Sequence, residues 1–545
     1  MIDLALWAEN PLLCAQNIFE RNTHEKNTSA QGSAQGSAQG SAQGSAQGSA
    51  QGSAQGSAQG TTHSASSKRT CHTAIIGGGL SGILLALRLS RNIRIGENIA
   101  LFEASPTLGG RLFFSTPQND APEISEAEAF LQRLDTCRRG RSSGFGFESL
   151  SKSAAKALER HIRSTLSDQE QVFLDQFLCE SNAQSPEDTR ERNTYFVRKE
   201  LIPFLSVLKE STDLLTRKEA EILNSFVQDA ANSEALNKVA WQDYPQWKTL
   251  ANPQKEALIP VLETLVSKGF LEYQTSTVQH HLKNFVVASN AESHGSFRRT
   301  SGFEMACELI LRSRGVLVYA SSRVVKLTIP QERSFEISFV NSVSRKDAKI
   351  VAHKTVLAAP LISCISFLPR EFLSGSQSKC ILRSPPSSLV VAEYFDFKQF
   401  QDETVCEKLK IGDQILFGTD RVQGTLNRAG NLLLSAYLDY EQSLQAAAVR
   451  EAVGRIRRAA ARVLKPDCLK SVSGQNLVHM NTGIKERIVL MPVARQFEIP
   501  STPLREVKMG QKGLYCCGDN FTFDLEPWKN IVQSVQDVVT ILSKE

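Results

Sequence analysis

Apolar and polar positions follow one another with different periods along this chain, and the changes of period mark out its parts. Residues 73–76 and 98–102 are short apolar runs of strand length, and between them Leu80, Ile83, Leu84 and Leu87 recur at helical spacing. Segments 125–137, 151–166, 168–179, 198–209, 212–231 and 253–268 place apolar residues three and four apart between polar or Gly/Pro breaks, which predicts a run of helices. Short runs return at 315–319, 322–327 and 354–360, and again at 388–397 and 432–440, predicting strands. Segments 443–463 and 532–542 read as amphipathic helices. At the start, Ile2, Leu4, Leu6 and Trp7 precede Asn10-Pro11, an N-cap and first-turn proline, and a short helix through Leu12, Leu13, Ile18 and Phe19.

The first strand, helix and second strand are joined by Gly77-Gly-Gly79-Leu-Ser-Gly82, and Glu103 ends the second strand 21 residues past Gly82. Gly77 permits a tight strand-to-helix turn, Gly79 lets the backbone approach a pyrophosphate, and Gly82 lets the helix pack on the sheet. A diphosphate then rests on the unpaired N–H groups and positive end of the helix, and Glu103 accepts from the hydroxyls of an adenosine ribose. This is the pattern of a βαβ dinucleotide cradle. Gly109-Gly110-Arg111 follows the acid by six residues and is expected to run along the same diphosphate from the other side.

At 545 residues the chain exceeds what one core supports. A formal charge of +5 over that length gives no case for nucleic acid, and no stretch approaches the apolar length of a membrane span. The eleven scattered cysteines contain no CxxC pair and suit a reducing compartment, so a cytoplasmic protein is expected. Residues 29–60 are eight perfect copies of Ser-Ala-Gln-Gly with no hydrophobic face, read as a flexible and engineered tether. The 28 residues ahead of it carry too much apolar surface to stand alone and are expected to dock on the large domain as a small subunit, or as a tethered substrate or inhibitory peptide.

Residues 73–112 resemble the start of the flavin-containing amine oxidase superfamily, which includes monoamine, polyamine and amino-acid oxidases, histone lysine demethylases and protoporphyrinogen oxidase. In that family the second glycine pair and arginine mark FAD, so the resemblance implies FAD, held non-covalently, with Gly77, Gly79, Gly82, Glu103, Gly109, Gly110 and Arg111 around it. It further implies that Val324 or Val325 holds the adenine through its backbone. Gly518 and Asp519 would hold the ribityl and phosphate region, and the helix N-terminus at Asn530 and Ile531 would face the flavin pyrimidine. The implied fold is α/β: a Rossmann-type FAD-binding domain with a helical insertion and a mixed-sheet substrate domain.

On this basis the chain divides into an appended peptide (1–28), the linker (29–68), FAD-binding segments (69–124, 299–375 and 505–545), a largely helical substrate-side insertion (125–298) and a substrate-domain sheet (376–504). His479, Tyr437 and Trp528 are the candidates for the substrate face. No metal site is expected. The function implied is oxidation of a C–N bond of a small-molecule amine or amino acid by hydride transfer to the flavin. Two alternatives keep the fold: a flavoenzyme modifying a peptide such as residues 1–28, with Trp7 and Cys14 as targets, and a C–C desaturase.

Overall fold

A computed structural model of the protein describes residues 69–91, 98–111, 152–179, 193–197, 200–203, 215–232, 243–266, 302–331, 334–360, 363–364, 366–368, 387–406, 409, 413–427, 430–438, 440–465, 468–471, 478–480, 486–493, 513–518 and 527–544. The expected docking of residues 1–28, the tether, the predicted helix at 125–137 and Asp519 lie outside them.

The chain enters as β1 (Arg69–Ile76), α1 (Leu80–Ser90) and β2 (Ile99–Phe102). Next come α2 (Lys152–Arg163), α3 (Asp168–Cys179), β3 (Asn193–Val197), β4 (Glu200–Pro203), α4 (Arg217–Asn232), α5 (Pro245–Thr249) and α6 (Asn252–Val266). They are followed by α7 (Phe303–Ser313), β5 (Leu317–Tyr319), β6 (Ser322–Gln331), β7 (Ser334–Asn341) and β8 (Asp347–Leu357). The second domain supplies β9 (Ser387–Tyr394), β10 (Gln414–Phe417), β11 (Val422–Leu426), β12 (Leu432–Leu438), α8 (Ala446–Ala460), β13 (Leu469–Ser471), β14 (Val478–Met480) and β15 (Glu486–Val493). The last elements are β16 (Leu514–Cys516) and α9 (Pro527–Lys544). Among the described residues no helix is long and apolar enough to cross a membrane.

Two seven-stranded sheets organise these elements. The first runs β5-β2-β1-β8-β7-β6, with β16 also on β8. β8 carries two neighbours on one edge: residues 347–352 pair antiparallel with β7, and Thr355, Val356 and Leu357 pair parallel with β16. Alternation along β1 and β2 sends Ile75 and Leu101 into a core with α1, α7 and α9, and Ala74, Ile76, Ala100 and Phe102 into a second core under β6 and β7. This two-sided burial explains why both strands read as unbroken apolar runs.

The second sheet runs β15-β9-β12-β11-β10-β3-β4, antiparallel except for β10 on β3. Its Val390, Ala392, Tyr394, Leu432, Leu434 and Ala436 face α8, whose Ala452, Ile456, Ala459 and Ala460 fill the same core. Val391 and Leu433 form a small cluster on the opposite face. Two expectations need correction here. Segment 198–209, read as a helix, contributes β4, because Leu201 and Ile202 lie where the hairpin with β3 completes the sheet. The sequence alone reads Arg450, Arg455, Arg457 and Arg458 of α8 as a solvated face, yet two of them pair: Arg457 with Glu486, and Arg458 with Asp420, which Arg462, two residues past the helix, also meets.

The Glu486 contact joins three elements. Its carboxylate accepts from the Tyr394 hydroxyl at 2.9 Å and from Arg457 Nη2 at 2.7 Å. Tyr394 is fully buried, and burial, together with the neighbouring carboxylate, pushes its hydroxyl well above the usual range. Glu486→Ala therefore leaves a buried hydroxyl and a guanidinium without their acceptor, and an expected loss of about 2–4 kcal/mol follows. A urea midpoint for this variant within error of the parent's removes the network from the second domain's stability, whereas Glu486→Gln is expected to recover part of the loss through Tyr394.

Candidate dinucleotide site

The carboxyl ends of β1, β2, β8 and β16 open on one edge of the first sheet, the place where such sheets bind ligands. Gly77 takes up the chain from β1 at φ +114°, and its N–H bonds the Phe102 carbonyl at 2.8 Å. A Cβ there would lie 2.6 Å from the Ala359 nitrogen, so the turn is held against the segment that leaves β8. A Cβ on Gly82 would lie 1.9 Å from the Gly77 oxygen, which shows how closely α1 sits under the loop. Gly79 differs: its Cβ direction meets no atom within 4 Å. That residue caps α1 with extended backbone, without a side-chain cap and without an acid in the first turn. An open glycine in front of an uncapped helix start fits an anionic diphosphate.

Glu103 stands beside this loop. One carboxylate oxygen accepts from the Gly78 N–H at 2.7 Å and the other from the Ser105 N–H at 2.7 Å. Burial pushes its carboxyl above the ordinary value, and the N–H groups of Ser105 and Gly78 oppose that shift. A carboxylate has about four acceptor positions, so each oxygen can accept more than the one N–H it meets here. The second glycine pair lies against the first: Gly109 N–H bonds the Gly78 carbonyl at 2.8 Å, and a Cβ on Gly110 would stand 3.1 Å from the Gly79 Cα. Arg111 follows, half-buried.

The structure thus brings Gly77, Gly79, Gly82, Glu103, Gly109, Gly110 and Arg111 into one loop cluster. The start of β6 joins it through the Ser322 N–H, which bonds the Glu103 carbonyl at 2.7 Å. Between Val324 and Lys326 the β6–β7 ladder shifts register, so Val325 falls at a bulge, 45% exposed, while Val324 stays paired with Phe339 and buried. Gly518, at φ +141°, donates its N–H to Ser534 Oγ at 2.9 Å, and Ser534 Oγ in turn bonds the Ile531 carbonyl. The terminal glycine is fastened to α9 in this way. Sequence reasoning passed over Ser534; its only signal is one hydroxyl in the apolar row Ile531, Val535, Val538.

The substrate-face candidates separate. Tyr437 is half-buried on β12, on the face away from α8, opposite Leu389. His479 lies on β14, opposite Lys470, in the ribbon that packs beside α8. Trp528 and Asn530 lie in the first turn of α9. The side chains of these last three are outside the described residues.

A family model for an NAD(P)-binding Rossmann-like domain matches residues 75–127. A search of curated proteins gives no match. Among solved structures, a putrescine oxidase double mutant from a redesign of cofactor binding is 12% identical, with 88% of this chain and 100% of that chain covered and a TM-score of 0.50. A protein from Exiguobacterium sp. 255-15, described as a protoporphyrinogen oxidase, is also 12% identical, covering 87% of this chain and 99% of that one at a TM-score of 0.50. At such identity the likeness is one of fold, and the chain has the architecture of these proteins: a Rossmann-type dinucleotide domain joined to a mixed-sheet domain.

Proposed function

We propose that the chain is an FAD-dependent oxidoreductase that oxidises a C–N bond of a small amine or amino acid. The observation that carries this reading is the return of Gly109 and Gly110 onto Gly78 and Gly79. A simple NAD-binding unit lacks this second glycine pair, and with the open Gly79 it makes a two-sided seat for a diphosphate. Putrescine oxidase, whose fold the chain shares, is named for an amine.

In this reading the start of α1 and the backbone of 77–79 hold the diphosphate, and Glu103 holds the ribose. Val325 offers its backbone to the adenine, Gly518 and Asp519 hold the ribityl region, and the α9 N-terminus stabilises negative charge beyond it. When bound, FAD supplies the two-electron acceptor. The protein binds an uncharged amine, orients its carbon and excludes water, with Tyr437, His479 and Trp528 as the side chains proposed to face it. Residues 1–28 are proposed as a small subunit held near by the 29–60 tether. The free thiols of Cys71, Cys307, Cys364, Cys406, Cys468, Cys516 and Cys517 fit the proposed cytoplasmic setting.

The purified protein is expected to be yellow and to release intact FAD on heating. Glu103→Ala is expected to weaken FAD by about 1.5–3 kcal/mol, the range for hydrogen bonds to a charged group. Unchanged retention in that variant removes Glu103 from the ribose site, and a colourless protein that FAD cannot reconstitute removes the cofactor. Anaerobic mixing with a panel of amines and amino acids then tests the reaction, since a substrate bleaches the flavin absorbance. Bleaching by a polyene or porphyrinogen alone moves the reading to a desaturase. A mass change in residues 1–28 moves it to a peptide-modifying enzyme.

A further inference from the structure

The contact between α2 and the dinucleotide domain holds a titratable group that the proposed function does not use. His161 lies near the end of α2, half-buried, and its Nε2 is enclosed with no hydrogen-bond partner among the described residues. On either side of it the helix is tied down. Leu158 and Ile162 enter the core shared with α1, α7 and α9, and Arg91, the C-cap of α1, donates to the Ser164 carbonyl.

The charges around it come from four elements. Arg88 of α1 acts directly on the imidazole, and Arg91 lies on the same helix end. On α2 itself Arg160 is exposed, while Glu159 pairs with Arg163, which also pairs with Asp175 of α3. α9 packs against α2 and carries Asp537, one oxygen of which accepts from Gln533 at 2.8 Å while the other is enclosed. Glu159 and Asp175 are engaged with Arg163, and the charge that bears on the imidazole is the Arg88 cation.

We propose that His161 is a proton-operated latch: its neutral imidazole lets the α2–α3 insertion dock on the α1–α9 layer, and its protonation loosens that contact. A second cation at this place must be buried beside Arg88 with no acceptor at Nε2, and both costs vanish when α2 lifts off. Burial, and then Arg88, hold the imidazole below its ordinary 6.5. The sign follows from linkage: the undocked state binds the extra proton, so docking is strongest above about 6.5 and weakens as pH falls below it. The ion pair between Glu170 of α3 and Arg314 does not act in that window, because Arg314 and Ser167 keep the Glu170 carboxyl below its ordinary 4.5 despite burial.

Hydrogen exchange on the full chain at pH 7.5 and 5.5, corrected for the intrinsic rate at each pH, tests the latch. The parent is expected to lose protection in α2 and α3 at pH 5.5 while α7 and β8 keep theirs. His161→Gln is expected to show equal protection at the two values. A parent without the loss, or a variant that loses as much as the parent, overturns the proposal. Should His161→Gln not fold, an NMR titration of histidine-labelled parent decides instead: a His161 midpoint below 6.5 supports the latch, and one at or above 6.5 overturns it.

Discussion

Gly82→Ala is expected to strip the protein of the FAD proposed for it and to lower its stability. The new methyl would stand 1.9 Å from the Gly77 oxygen and 3.0 Å from the Gly77 carbonyl carbon, both of them backbone atoms. No flexible side chain can yield. Nor can Gly77 retreat, since its N–H is bonded to Phe102 and its other flank meets Ala358 and Ala359. The helix must therefore move off the loop, which opens the diphosphate seat and costs about 1–3 kcal/mol of overpacking strain. Gly79→Ala is the informative companion. Its methyl enters open space, so stability should fall by no more than about 1 kcal/mol, the margin between glycine and alanine as a helix cap, while the proposed FAD is lost, the methyl occupying the place of the ligand. Flavin content and melting temperature measured side by side separate the two, and a Gly82→Ala protein with parental flavin content would falsify the close packing assigned to α1.

Arg314→Met is expected to be the most destabilising change outside the cofactor loop. The guanidinium follows α7 and meets groups from two other parts of the chain. It pairs with both oxygens of Glu170, bonds the Thr165 carbonyl at 2.9 Å, and reaches the Leu87 carbonyl and the Ser90 hydroxyl of α1 at 2.7 and 3.0 Å. It thus closes the end of α1 and the turn between α2 and α3 together. Both side chains of the ion pair are nearly buried, at 11% and 7% exposure, so removing one leaves a carboxylate with no cation in a dry setting. The expected cost is about 3–5 kcal/mol. Lysine should rescue little, because a single ammonium cannot span that fork of acceptors. Acid titration adds a signature. The Glu170 carboxyl is depressed when folded, so its contribution is full above about 4.5 and is lost as pH falls through the folded value. The Met variant should lack that acid-dependent part. Urea unfolding that shows a loss under about 1 kcal/mol would dismiss the clamp.

Residue types carried the dinucleotide unit plainly, because each glycine there answers a steric demand that few other positions make. Gly77, Gly82 and Glu103 are recognisable from spacing alone, and the structure supplies the clashes and bonds that explain them. The bulge that sets Val325 apart from Val324 was not legible, since a bulge has no spacing of its own. The β3–β4 hairpin was misread for a related reason: Leu201, Ile202, Phe204 and Leu205 satisfy helical spacing as well as a strand, and only the waiting edge of β10 decides. The Arg314 clamp was invisible, because its partners lie 144 and 227 residues away. The polar network on α8 was hidden likewise by the distance from Arg457 to Glu486.

The double edge of β8 bears on the order in which the protein can be made. Its C-terminal half waits for β16, and five of the second sheet's seven strands, β9 to β12 and β15, are synthesised between the two. At about 5–20 residues per second the nascent chain carries that edge unpaired for roughly 10–30 s, with Thr355, Val356 and Leu357 as a ready template for a stray strand. Vectorial folding from the N-terminus therefore cannot complete the dinucleotide domain, which closes last although it is begun first, and a ribosome that stalls in the second domain leaves behind an aggregation-prone half-sheet.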